Sequence, residues 1–224
     1  MMYTATGERS FLSRVFLNMT WALILTALTS LAIASHPPFT DALISSRYGI
    51  WIILILELIL VAYLSRRIMV MSTAAAYLGF IVYSVVNGVT LSLIFLAYEI
   101  TSIYQVFFIA AGMFLLMGVV GYFTKADLSG IGRFLMMCLF GLILVFLVNL
   151  FIRSSTLDLL ISAAGVLIFS GLTAYDIQTL KRMYQSMEMP EEVGQKIAIL
   201  GALRLYLDFI NLFLWLLRLV GRRR

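Results

Sequence analysis

An all-α integral membrane protein, seven helices bundled in the bilayer, is the fold class the sequence predicts, and three observations predict it. Of the 224 residues, 62% are hydrophobic and only 12% charged, and the mean hydropathy of +1.04 lies far from that of a soluble domain. Seven stretches approach the roughly 20 apolar residues a helix needs to cross the hydrocarbon core. The segments between them are short, so residues 1–224 read as a single seven-span membrane domain without room for a soluble domain or a nucleotide fold.

The first span is placed near 15–35. Its apolar run exceeds the 7–15 residues of a cleavable signal peptide, so it is read as retained, although "AIAS" at 32–35 loosely resembles a cleavage site. The proline-containing "SHPPFTD" loop follows and holds the only histidine, His36, which reads as a solvated loop residue rather than a metal ligand. The second span, near 48–64, carries Glu57 and closes at Arg66 and Arg67. The third, near 74–98, holds Asn87 and Gly88, read as interhelical packing and hydrogen-bonding residues. The fourth lies near 103–123 and the fifth near 133–152, the latter with Asn149, read like Asn87, and Cys138. A single cysteine offers neither an internal disulfide nor a thiolate cluster. The sixth span, near 157–180, contains Asp176, and the seventh lies near 197–220.

With the N-terminus in the cytoplasm, Arg9, Arg14, Arg66, Arg67, Lys125, Arg133, Lys181, Arg182 and Lys196 fall inside, leaving Arg47 and Arg153 in outer loops. This bias fits a bacterial inner membrane. The basic tail, Arg218 and Arg222–Arg224, contradicts it, because seven full spans put that tail outside. A re-entrant last segment is the rival, tolerable only under protein cover; the length of the segment favours a full crossing. The formal charge of +5 is scattered over loops and the tail, so nucleic acid is not an expected partner.

The last span raises the functional question. Arg204, Asp208, Asn211, Trp215 and Arg218 are spaced four, three, four, three, and so form one line on a helix face. Ionisable groups in hydrocarbon cost about 2.5 kcal/mol or more and normally face the bundle interior with partners. The last helix is therefore expected inside, lined up against spans two and six. Asp176, Asp208 and the Arg66/Arg67 pair share one predicted depth. Glu57 and Arg218 each lie ten residues further in, about 15 Å at the helical rise, and are open to a second charged pair. Blander roles compete: Asp176 as a boundary cap near Lys181 and Arg182, Asp208 paired only with Arg204, and Glu57–Arg218 as a bridge that fixes register.

At "FSGLTAYDIQTLK" and "ILGALRLYLDFINLFLWLLRLVG", with further matches at "TKADLSG" and "YSVVNGVTLSLIF", the chain resembles the transmembrane Bax-inhibitor family, particularly its bacterial members. The resemblance covers nearly the whole chain. It implies a seven-helix bundle with the last helix central, acting as a pH-sensitive calcium leak. By motif match the paired aspartates of that family fall on Asp176 and Asp208, the latch arginine on Arg67 or Arg66, and a second bridge on Glu57 and Arg218.

Two carboxylates in contact titrate as a unit, which makes a pH sensor. Calcium takes oxygen ligands of the kind Asp176 and Asp208 offer along a pathway, yet two carboxylates alone do not select it, so the ion's identity rests on the resemblance. Calcium is then the transported ion, and neither a cofactor nor an enzymatic activity is expected. An intramembrane aspartyl protease would explain "AYD" but not "LYLD", which lacks the required glycines. A retinal pump needs a lysine within its last helix, whereas Lys125, Lys181 and Lys196 sit in loops or at a span edge. A membrane regulator that binds a protease or channel and a proton-coupled cation exchanger are the alternatives; beyond lipid and calcium, the sequence names no protein partner.

Overall fold

The computed structural model describes residues 5–36, 38, 45–46, 48–186 and 190–224; Pro37 and the outer-loop Arg47 lie outside them. The helices are α1 (Ala5–Ala34), α2 (Gly49–Arg67), α3 (Thr73–Leu91), the one-turn α4 (Ile94–Ala97), α5 (Ile100–Phe123), α6 (Ser129–Ile152), α7 (Ser155–Ser186) and α8 (Glu191–Val220). Seven segments are long and apolar enough to cross a membrane, α3 and α4 counting together. They fall where hydropathy places them, but α1, α7 and α8 run well past their apolar stretches at the ends where polar residues continue the helix. Among the described residues there is no strand, only an isolated bridge between Tyr98 and Arg223.

Helix ends follow from local chemistry. Ser72 caps α3 by accepting the Ala75 N–H. At the end of α6, Arg153 takes the left-handed conformation with φ 56°. Asn149 stabilises that stop: its carbonyl accepts the Arg153 N–H and its side chain accepts the Ser154 N–H. Asn149 is thus a cap of its own helix rather than an interhelical residue. His36 turns its ring Nδ1 to the Ala32 carbonyl, 3.0 Å away at the end of α1, in keeping with a loop role.

The chain divides into two compact units, Met1–Ala97 with Tyr184–Tyr206 and Arg224, and Tyr98–Met183 with Leu207–Arg223. The single domain read from the sequence therefore comprises two units, and α8 contributes one half to each. In the first unit, Tyr206 is fully buried and its ring meets Phe80 and Tyr83 edge-on. Gly88 permits α3 to lie on α1, since a Cβ there would stand 2.7 Å from the Thr26 carbonyl oxygen. In the second unit, Phe209 packs edge-on against Phe107 and Phe114, and Trp215 against Phe146.

Burial ranks the helices. In the most apolar 18-residue window, 6% of positions are buried in α2 and 11% in α6, against 56% in α7 and 72% in α8. Lipid-facing helices keep exposed apolar residues such as Leu58, Phe140 and Leu144, while α8, with its polar line, has the most buried window. Its 30 residues form one unbroken helix, about 45 Å at 1.5 Å per residue, more than the hydrocarbon thickness. A re-entrant segment would need a reversal within it, and this helix has none. Beyond α8 the tail is held by backbone bonds, from the Glu99 N–H to the Arg222 carbonyl and from the Arg222 N–H to Ser102 Oγ.

The α5–α7 contact in the second unit yields a test. A Cβ on Gly121 would lie 2.2 Å from the Ala174 carbonyl oxygen, a backbone atom that cannot yield. Gly121→Ala is expected to lower the thermal unfolding temperature, at a cost of about 1–3 kcal/mol. Gly112→Ala, with nothing within 4 Å, is expected to unfold no earlier than the parent.

Candidate functional site

Asp176 and Asp208 both belong to the second unit. Helix periodicity gives α7 two different buried faces there. Ala174, Gln178 and Lys181 face α5 and the Thr124–Leu128 connection: Gln178 Nε2 donates to the Ala126 carbonyl at 2.8 Å, its Oε1 accepts the Leu128 N–H at 2.9 Å, and Lys181 donates to the Tyr122 carbonyl. Roughly opposite, at helical spacing, stand Phe169, Thr173, Asp176 and Leu180. Asp176 is half-buried, Asp208 is 6% exposed, and each is engaged by another group.

Two contacts set the antiparallel register of α7 and α8 in this unit. Asp158 pairs with Arg218, and Gly165 takes the Trp215 ring where a Cβ would clash at 2.5 Å. Continued at the same rise, this register brings Asp176 and Asp208 within about one to two turns of each other. Side chains lean toward the N-terminus of their own helix, and in this antiparallel pair that lean is toward each other.

The rest of the polar line separates. Asn211 donates back to the Leu207 carbonyl of its own helix. Arg204 is half-buried in the first unit, where Arg66 and Arg67 close α2 with both side chains exposed.

The expected Glu57–Arg218 bridge is replaced by two other sets of partners. In the second unit Arg218 pairs with Asp158, stacks over the Phe146 ring at 4.7 Å and lies near Trp215; Arg223 reaches the other Asp158 oxygen at 3.5 Å. In the first unit Glu57 accepts from Asn87 Nδ2 and from Thr90 Oγ1. Asn87 Oδ1 accepts from the Tyr206 hydroxyl, which contacts Thr26 Oγ1 at 2.7 Å, and Thr26 donates to the Ser84 carbonyl. The reason is geometric: equal depth made Glu57 and Arg218 eligible partners, but Asp158 opens α7 at the depth where Arg218 nears the end of α8. The signal for Asp158, an acidic residue at the start of span six, was present in the sequence. Asn87 does bond between helices, as its position suggested.

Outside the spans, the "TKADLSG" connection is pinned by charge as well as by Gln178. Asp127 accepts the Ser129 N–H and pairs with Arg182 at 2.5 Å. The Ser129 backbone N–H, its hydroxyl and the Arg182 guanidinium hold the Asp127 carboxyl well below the usual carboxylate range. Its contribution is present above that range and disappears only as pH falls through the lowered value, so mild acid does not release this loop.

Asp158→Ala leaves the half-buried Arg218 without its carboxylate and is expected to destabilise by about 2–3 kcal/mol in thermal unfolding, whereas a Glu57→Ala change leaves the Arg218 pair intact. Gln178→Ala is expected to cost about 1–3 kcal/mol and to speed amide hydrogen exchange at Leu128, whose N–H loses its acceptor.

A family model described as inhibitor of apoptosis-promoting Bax1 matches residues 8–224. The inner membrane protein YbhL of Escherichia coli (strain K12) is 42% identical over 219 residues, covering 97% of this chain and 94% of the relative. An uncharacterized protein of Borreliella burgdorferi is 41% identical over 217 residues with the same coverage. An uncharacterized membrane protein of Streptococcus pyogenes serotype M1 is 45% identical over 168 residues, 75% of this chain and 72% of its own. Seven apolar helices, their carboxylate motifs and this breadth of similarity lead to one conclusion: the chain is a multi-pass membrane protein of the Bax1-inhibitor family.

Proposed function

We propose that the protein is a pH-sensitive calcium leak pathway gated by the Asp176–Asp208 pair. The observation that carries the reading is the buried Asp208 on the most buried helix, with Asp176 on the α7 face opposite the loop clamp and close in register. Two carboxylates in contact titrate as a unit. The ionised pair favours the closed state; acid neutralises it and releases the helices that carry it. Carboxylate oxygens suit a hard cation such as calcium, which is cargo rather than a cofactor, and the activity is transport rather than catalysis. Similarity to an inner membrane protein supports a bacterial inner-membrane location, and the loop charges support a cytoplasmic N-terminus.

The test is calcium entry into dye-loaded liposomes carrying the purified protein, stepped from about pH 8 to about pH 6. The expected result is a leak that rises with acid in the parent and loses its pH response in the Asp176→Asn, Asp208→Asn double variant. Among Arg66→Gln and Arg67→Gln, a leak already raised at the alkaline end identifies the latch residue. Flux that requires an opposing proton gradient identifies an exchanger instead. No flux above empty liposomes at any pH overturns the transport reading in favour of a regulatory partner.

A further inference from the structure

α1 and α3 belong to the same unit, and their contacts hold one register. Asn18 Nδ2 donates to the Tyr77 hydroxyl, 59 positions on, and Thr26 Oγ1 donates to the Ser84 carbonyl, 58 positions on. An offset this constant means parallel helices with matching depths. On α1, Arg14, Asn18, Trp21 and Leu25 are spaced four, three, four; on α3, Thr73, Tyr77, Phe80 and Ser84 repeat that spacing. Each set is one line along its helix. Below Arg14 and Thr73 the two lines flank a groove of about 400 Å³, within the size range of small-molecule sites. The groove opens toward lipid, since Trp21 is 66% exposed and Ile81, also on its wall, 50%.

Polarity falls steadily along the groove. At its far end Ser84 is already satisfied, its hydroxyl donating to the Phe80 carbonyl and its carbonyl accepting from Thr26. Near the boundary, the single Asn18–Tyr77 contact is long, at 3.5 Å, and leaves Asn18 Oδ1 and the Tyr77 hydroxyl hydrogen without a partner among the described residues. One turn further out Arg14 ends the α1 line. It is exposed, and it forms no ion pair among the described residues. The positions that could pair with it along α1 are Ser10, Phe11, Leu17 and Asn18, none of them acidic. The register sets it level with Thr73, the first residue of α3, where the helix carries its positive end. Arg14 to Leu25 is eleven residues, about 16 Å of helical rise, roughly the hydrocarbon depth of one leaflet.

We propose that the α1–α3 groove is a binding site for an acidic phospholipid, with the phosphate on Arg14, the ester groups at Asn18 and Tyr77, and one acyl chain against Trp21, Leu25 and Ile81. Cation, hydrogen-bonding pair, amphipathic tryptophan and apolar groove follow one another in the order of phosphate, ester and chain. Basic positions between membrane helices at the boundary suit acidic headgroups. A second copy of the chain fits this face poorly. A two-fold axis along the membrane normal sets two Arg14 side chains at one depth, α3 has no carboxylate to pair them, and the only one on α1, Glu8, is bonded to Gln185. The site is independent of the aspartate pair and of whether the protein conducts calcium.

Quenching of Trp21 fluorescence by lipids brominated on one acyl chain tests it with the full chain in bilayers. The Trp21 signal is the parent's emission less that of Trp21→Phe, which cancels Trp51 and Trp215. Brominated phosphatidylglycerol and brominated phosphatidylcholine with identical chains are each titrated into unbrominated phosphatidylcholine. The acidic lipid is expected to displace phosphatidylcholine at Trp21 about fivefold more effectively than its zwitterionic counterpart, the contribution of one arginine at a membrane surface. Arg14→Gln, at an exposed position, is expected to bring that ratio to about one. Arg9→Gln removes the same charge from another face of α1 and is expected to leave the preference in place. Equal quenching by the two lipids, meaning ordinary surrounding lipid, would overturn the site. So would a preference that survives Arg14→Gln, or one that Arg9→Gln lowers equally, which is diffuse charge attraction. Trp21 left unquenched by both lipids would overturn it in favour of a second copy covering the groove.

Discussion

Hydrocarbon offers no hydrogen bonds, so every polar group drawn into it must find its partner within the protein. The other features of this chain depend on that constraint. It makes the backbone helical, turns Asn211, Thr173 and Thr179 back onto the carbonyls of their own helices, and forces α8, whose apolar segment carries Arg204, Asp208 and Arg218, to become the most buried. It also accounts for the docked tail. Arg218 and Arg223 share Asp158, and the tail's backbone groups bond to Glu99 and Ser102 instead of being left to the interface.

Within each unit the same constraint decides which bonds each helix face makes. On α7 the "AYDIQTLK" segment serves two purposes, because residues two apart point to nearly opposite sides of a helix. Gln178, Lys181 and Arg182 anchor the Thr124–Leu128 connection through fixed, fully made bonds. Asp176 is thereby left for the face with Phe169, Thr173 and Leu180. In the first unit, Tyr206 joins α8 to α1 and α3 through a single hydroxyl.

Periodicity and hydropathy made the fold class, the positions of the seven spans and the inward polar line of α8 legible in the sequence, since lipid exposure acts on each residue singly. The motifs around Asp176 and Asp208 were legible for the same reason: an acidic residue in an apolar run is conspicuous. Partner choice was not. Glu57 and Arg218 matched in depth and charge, but depth is one coordinate of three. Helix rotation and register gave Arg218 to Asp158 and Glu57 to Asn87 and Thr90. Asn149 looked interhelical and proved to be a cap, because the left-handed turn at Arg153 made its own backbone the nearest donor.

The sequence by itself thus determined that this is a seven-span helical membrane protein whose last helix carries a line of polar residues, because those properties follow from how far each segment prefers hydrocarbon to water. Only the tertiary structure decided which polar groups meet, where α8 passes from one compact unit to the other, and which face of α7 clamps the Thr124–Leu128 connection. Those outcomes depend on angles and registers between helices, set by the packing of residues such as Gly121 on Ala174 and Gly165 on Trp215, which spacing along one chain does not encode.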